Sequence, residues 1–84
     1  MSIAPDPYNH YAGLFAQFHL TRRECEALHW MTEGKRDGEI ARIMGVSLRT
    51  AEHHVGSVLH KLCVETRTAA ARIALETQRD RKTS

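Results

Sequence analysis

A three-residue turn that contains Gly45 separates two stretches with the apolar spacing of a helix, and this pairing restricts the fold more than any other feature of the sequence. The first stretch, 37–44, is short. Ser47 is then placed as the N-cap of a longer helix at 48–62. The apolar side chains of this helix form one stripe about 100° wide, as expected for a helix that packs on one side only. They are Leu48, Ala51, Val55, Val58, Leu59 and Leu62.

Two further helices are predicted on either side of this pair. Thr21 and Glu24 form a capping box, in which each side chain satisfies a backbone N–H at the start of a helix that runs to about Glu33. Gly34 follows, where a left-handed C-terminal cap is needed. An alanine-rich helix is predicted at 66–79, and no stretch alternates with a β-strand period.

An additional helix is predicted at the N-terminus, over residues 7–18. Its aromatic side chains recur with the spacing of one helix face. Trp30 points about 100° away from the inner face of its own helix, so we expect it to pack against this aromatic stripe. The stripe consists of Tyr8, Tyr11, Phe15 and Phe18.

Length and composition bound the type of protein. With 84 residues the chain holds one domain, and twelve Lys and Arg against ten Asp and Glu leave a net charge of only +2, which does not by itself indicate a nucleic-acid partner. No apolar run approaches the roughly 20 residues of a membrane span. Cys25 and Cys63 form no CxxC motif, which favours a reducing cytoplasm.

The sequence offers no support for an enzyme or a cofactor. It contains no glycine-rich phosphate loop and no nucleophile placed beside a base. His53 and His60 share a helix face but lie two turns apart, about 10.5 Å, too far for one metal ion. We therefore predict neither a metal nor a small-molecule ligand.

A short helix, a turn containing Gly45 and a second helix with one polar face describe a helix-turn-helix. In that arrangement the second helix enters the major groove of DNA and the first braces it. An ordinary helical corner is the alternative, and the pattern alone favours neither, because Arg49 is the one permanent cation on the outer face.

A set of spaced residues along the chain forms a longer and more specific pattern. The set consists of residues 20–28, Gly34, Glu39, Ile40, Ala41, Gly45, Val46, Ser47, Arg49, Thr50, His54, Val55, Lys61, Leu62, Val64 and Arg67. Over about residues 20–75 this pattern resembles the LuxR-type DNA-binding domain, a four-helix module of bacterial transcription regulators. Region 4 of sigma factors has a similar pattern, but Lys61, Leu62, Val64 and Arg67 favour the LuxR type.

The resemblance implies an all-α fold: a four-helix LuxR-type helix-turn-helix domain at 20–79. An N-terminal arm with the extra amphipathic helix would precede it at 1–19, and a charged tail would follow at 80–84, where we expect fraying. The implied function is a cytoplasmic transcription regulator that binds double-stranded DNA through a recognition helix at about 48–62.

Three positions depart from the family pattern. Arg36 stands where the family commonly has serine, so we expect the cap of the second helix to fall to Asp37. Cys63 replaces the usual glycine after the recognition helix, at a strain cost if the backbone there requires a positive φ. Ala51 replaces a larger valine, which thins the core beneath the recognition helix.

By their position in the motif, Glu52, His53 and Gly56 fall where related domains place base-contacting residues. The Glu52 carboxylate could accept a hydrogen bond from a cytosine amino group, although pairing with Arg49 explains it equally well. Gly56 has no side chain and leaves a gap that would let the helix approach the DNA closely. Arg49 suits guanine or phosphate. Flanking residues are predicted to contact or position the duplex, with packing favoured for His54: Ser47, Thr50, His54, Ser57, His60 and Lys61.

The last helix carries a second small-residue stripe, Ala69, Ile73 and Thr77, which predicts a homodimer contact. The alternative is that alanine is present for its helix propensity alone, but the resemblance to the LuxR type favours the dimer. A different class of function also fits the weak positive charge. In this alternative the domain keeps its fold but regulates by pairing with another protein.

Overall fold

The computed structural model describes the backbone of residues 17–83 and the side chains of residues 17–77. This part of the chain contains four long helices and no strand, which confirms the all-α prediction. The helices are α1 (Arg22–Thr32), α2 (Asp37–Met44), α3 (Leu48–Leu62) and α4 (Arg67–Thr83). Residues 17 and 18 are also helical, while the rest of the predicted N-terminal helix lies outside the described residues. None of the described helices is long and apolar enough to cross a membrane.

The helix ends follow the local signals in the sequence. Thr21 caps α1 with the predicted capping box, because its hydroxyl accepts the N–H of Glu24 at 3.1 Å while the carboxylate accepts the N–H of Thr21 at 2.8 Å. Ser47 caps α3 by accepting the N–H of Thr50 at 3.1 Å. Gly45 ends α2 with φ 70° and ψ 36°, the left-handed conformation that glycine adopts without strain.

The expected cap at Asp37 is wrong. Arg36 is the N-cap of α2, and Asp37 is the first helical residue. Arginine has no side-chain acceptor, so half of a capping box serves instead: the Glu39 carboxylate accepts the Arg36 N–H at 2.9 Å. This hydrogen bond lowers the pKa of Glu39. The Asp37 carboxylate instead accepts a hydrogen bond from Arg67 at the start of α4.

The last helix is longer than predicted. Its start agrees with the sequence, since the Thr66 hydroxyl accepts the N–H of Ala69 at 3.1 Å. It continues to Thr83 instead of fraying after Arg79. No glycine or proline interrupts residues 79–83, so nothing in the local sequence stops the helix.

One core holds the helices together. α1 packs against both α3 and α4, and α2 packs against α3. Phe18 and Trp30 pack at its edge, whereas the other aromatic residues expected beside Trp30 lie outside the described residues. Fully buried side chains at its centre include Cys25, Leu28, Ile40, Ala51, Val58 and Ala74.

Leu48 departs from the predicted apolar stripe. Ala51, Val55, Val58 and Leu62 are buried as expected, but Leu48 is 51% exposed. Residues 47–50 are all exposed, so the first turn of α3 extends beyond the core. A position on the apolar side of a helix is buried only where another element reaches it.

Candidate nucleic-acid interface

Among the described residues, none covers the outer side of α3. Ala51, Val55 and Val58 bury the inner side in the core. The opposite side is polar and exposed, and it follows directly after the short helix α2 and the Gly45 turn. This is the geometry in which a helix-turn-helix presents side chains to a major groove. Its exposed residues are Arg49, Glu52, His53, Gly56 and His60.

The first turn of α3 is open to an anion. Ser47 and Thr50 are exposed, and the Ser47 hydroxyl donates to the Thr50 hydroxyl oxygen at 3.0 Å while capping the helix. No acidic residue lies in this turn. The partial positive charge of the helix N-terminus therefore meets no local carboxylate, a condition that favours a phosphate nearby.

Gly56 lies on the exposed face of α3, and His54 lies at the edge of its apolar stripe, as helical periodicity predicts. A Cβ at Gly56 would meet nothing within 4 Å, so the position is an open notch in the exposed face. His54 is half-buried at the edge of the apolar stripe, with its ring centre 6.2 Å from that of His53. Packing thus accounts for part of the His54 side chain.

Two of the predicted DNA-contacting side chains turn toward the protein. Ser57 donates its hydroxyl to one carboxylate oxygen of Glu24. The Lys61 ammonium donates to the other at 2.7 Å and to the carbonyl oxygen of His19 at 3.0 Å. Both side chains use their polar atoms inside the domain, so we leave them out of the candidate DNA-contacting face.

Glu24 joins these contacts and is itself only 6% exposed. Burial alone raises the pKa of a carboxyl, but hydrogen bonds from Lys61, Ser57 and the Thr21 backbone outweigh it and lower the pKa of Glu24 to about 2. The carboxylate therefore stays charged at any physiological pH. From the sequence, Glu24 is assigned only to the capping box of α1. No local sequence signal indicates that its carboxylate also binds Ser57 and Lys61 on α3.

The outer face of α3 carries little fixed charge. Arg49 is positive and Glu52 is negative, and the Lys61 ammonium is bound to Glu24. Arg67, at the start of α4, is paired with Asp37 and also donates to the Lys35 carbonyl oxygen at 3.2 Å.

The predicted dimer stripe is partly used within the domain. Ala69, Ile73 and Thr77 are half-buried, Ile73 packs against the core, and the Thr77 hydroxyl donates to the Ile73 carbonyl at 2.9 Å. Leu75 is the large apolar residue of α4 that faces solvent, at 50% exposure. By the 100° step of a helix it lies on the opposite flank of α4 from Ile73.

Metal binding gains no support from side-chain clustering. Within residues 17–77, no three His, Cys, Asp or Glu side chains come together in a way that would hold an ion. His53 and His60 lie two turns apart on α3, as the sequence predicts.

Comparison with known proteins identifies the architecture. Residues 19–74 match the family described as bacterial regulatory proteins, luxR family. The chain is 48% identical over 59 residues to the transcriptional activator protein AnoR of Acinetobacter nosocomialis, covering 68% of this chain and 25% of that protein. It is 46% identical over 57 residues to the transcriptional activator protein YukR of Yersinia ruckeri, again covering 68% and 25%.

A third relative is named a regulatory protein, whereas the first two are named activators. The transcriptional regulatory protein DegU of Brevibacillus brevis is 43% identical over 51 residues, covering 61% of this chain and 22% of that protein. The chain thus spans about a quarter of the length of these relatives. No solved structure is a significant match. The matched residues hold all of α1, α2 and α3 and the first half of α4, and the chain belongs to the LuxR family of bacterial regulatory proteins.

Proposed function

We propose that this chain binds double-stranded DNA and thereby regulates transcription in the cytoplasm. The proposal rests on one observation: the polar side of α3 is exposed, whereas the apolar side of the same helix is buried in the core of the helix-turn-helix. A major groove is wide enough to admit such a helix. The names of the relatives, transcriptional activators and regulators, support the same function.

Each exposed side chain of α3 has a chemical role in this proposal. The Arg49 guanidinium donates two hydrogen bonds to guanine or to phosphate, and the Glu52 carboxylate accepts from a cytosine amino group. His53 and His60 donate to bases or phosphates. Ser47 and Thr50 position the backbone of the duplex at the start of the helix, where α3 has no acidic residue.

The proposal includes a homodimer formed through α4. Because Ile73 already packs on the core, the flank that carries Leu75 supplies apolar area that the domain leaves uncovered. Sedimentation at high concentration, with and without DNA, tests this assembly. Leu75→Glu should shift the chain toward monomer, and a wild-type chain that is monomeric under both conditions would remove the dimer from the proposal.

An interaction module without DNA binding is the second candidate. It is favoured by one observation, the engagement of Lys61 and Ser57 by Glu24, which leaves Arg49 to offset Glu52 on the outer face of α3. In this case the exposed side of α3 would pair with another regulator.

A titration of a fluorescent duplex separates the two candidates. A duplex is first selected from random DNA with the wild-type chain, and its affinity is measured by anisotropy between about 50 and 200 mM salt. DNA binding predicts that log affinity falls linearly with log salt, by about 0.9 per neutralised phosphate. A chain that recovers no duplex and binds none at low salt would sink the DNA-binding proposal.

Arg49→Ala is the matched test of the assigned face. It should weaken binding by about 1 to 3 kcal/mol if the guanidinium contacts a base. Arg22→Ala, which removes an exposed arginine from α1, is the control and should leave the affinity unchanged. An equal effect of the two substitutions would remove Arg49 from the binding site.

A further inference from the structure

The strongest unexplained feature of the fold is the convergence of three hydrogen-bond donors on the Glu24 carboxylate. It accepts the N–H of Thr21 at the start of α1 and the side chains of Ser57 and Lys61 on α3. Ser57 and Lys61 are four residues apart, so the carboxylate holds α3 at two points one helical turn apart. Lys61 also reaches the carbonyl of His19, in the connection that precedes α1.

The side chains that α3 buries in the core are apolar. Val55, Val58 and Leu62 pack without directional bonds, so they select the side of α3 that faces inward but set its roll only loosely. The hydrogen bonds to Glu24 are directional, and the carboxylate is almost fully buried, which makes them costly to leave unmade. These two contacts therefore set the roll of α3 more finely than its apolar stripe does.

The roll of α3 matters for sequence reading. With a radius of about 5 to 6 Å, a roll of 20° displaces the helix surface by about 2 Å. A binding group has to be held within about 0.5 Å and 10 to 20° of its productive geometry. A roll of this size would misplace Arg49 and Glu52 relative to a base pair, but would still allow loose contact with phosphates.

We infer that Glu24 is a positioning residue for DNA reading: its carboxylate sets the roll of α3 through Ser57 and Lys61, and so controls discrimination between sequences more than attraction to the backbone. This inference rests on the proposed DNA binding. The inference also assigns Lys61 to internal positioning in place of a phosphate contact. The salt dependence of the affinity therefore tests it, because a residue that only stabilises the fold would not change that dependence.

The experiment compares the selected duplex with a scrambled duplex of the same composition, using variants of the full chain. Glu24→Gln should lower affinity for the selected duplex about tenfold and leave affinity for the scrambled duplex equal or higher, so the ratio of the two falls. Because the released Lys61 is then free to meet a phosphate, the salt slope on the scrambled duplex should steepen by about 0.9.

Lys61→Met provides the second readout. It should reduce the affinity ratio without lowering the salt slope, whereas a phosphate-contacting lysine would lower the slope by about 0.9. Lys61→Arg keeps a charged donor and should restore much of the ratio. In the double variant Glu24→Gln/Lys61→Met the steepened slope should disappear.

The controls separate positioning from folding and from DNA binding itself. Glu26→Gln removes a carboxylate from the same helix that pairs with Arg22 and Arg23, and should not change the ratio. If Glu24→Gln does not fold, Ser57→Ala removes one hydrogen bond and keeps the ion pair, with an expected loss of about threefold in the ratio. Folded Glu24 and Ser57 variants with the wild-type ratio would overturn the inference. Failure of the wild-type chain to bind either duplex would instead overturn the proposed function.

Discussion

Cys63 ends α3 with the same left-handed backbone with which Gly45 ends α2. Their angles are φ 58° and ψ 42° for the cysteine and φ 70° and ψ 36° for the glycine. The N–H of Cys63 still caps α3, since it points to the carbonyls of Leu59 and His60. From the sequence, backbone strain is expected at Cys63 only if its φ is positive, and the structure confirms a positive φ there. A side chain with a Cβ thus occupies a conformation in which only glycine is relaxed.

Cys63→Gly should therefore stabilise the domain, by up to about 1 kcal/mol, because the strain of the left-handed Cβ disappears. Gly45→Ala is the mirror experiment and should destabilise it by about 1 kcal/mol. A Cβ at Gly45 would meet nothing within 4 Å, so its effect comes from the backbone alone. Urea unfolding measures both values. Two changes of the same sign would contradict the assignment of strain.

Acid should weaken the domain through Glu24. Its pKa in the folded chain is about 2, below the ordinary value of 4.5, so its stabilising contribution is complete above about pH 4.5 and is lost as the pH falls toward 2. A shift of this size corresponds to at most about 3 kcal/mol, and the carboxyl is only 6% exposed. Glu24→Gln should be less stable than wild type at pH 7, and the difference should shrink at pH 2.5.

The measurement is the free energy of unfolding by urea at pH 7, 4 and 2.5. Glu26→Gln provides the comparison, because its arginine partners are about half exposed and such pairs contribute less than about 1 kcal/mol. A Glu24→Gln variant that keeps the same deficit at every pH would show that the stabilisation does not depend on the ionised carboxylate.

Gly56→Ala should separate stability from DNA affinity. Alanine is about 1 kcal/mol more favourable than glycine inside a helix, and a Cβ at this position meets open space, so the melting temperature should rise. If the notch admits DNA closely, the same substitution should weaken binding. Gly38→Ala in α2 also adds a Cβ in open space and should leave DNA affinity unchanged. Unchanged affinity in Gly56→Ala would mean that no close approach occurs there.

The C-terminal end of α2 and the N-terminal end of α3 could be predicted because their signals are local. Gly45 and Ser47 act on the backbone within one turn, so the sequence alone places the turn, the two helices and the buried side of α3. Failures of prediction began where a side chain had a choice of partners. Arg36 is the N-cap although it has no acceptor, because Glu39 satisfies its N–H and Asp37 is engaged by Arg67.

The sequence by itself determined the family, the four helices and which side of α3 faces outward. Only the tertiary structure decided what the side chains at the edges of that face do. Ser57 and Lys61 have the polarity of DNA-contacting residues, yet Glu24, 33 and 37 positions away, binds both. Leu48 has the polarity of the core, yet none of the described helices covers it. Helical periodicity specifies the direction in which each side chain leaves its own helix. The hydrogen-bond partner of a side chain and its burial depend instead on packing between segments that are distant in the chain.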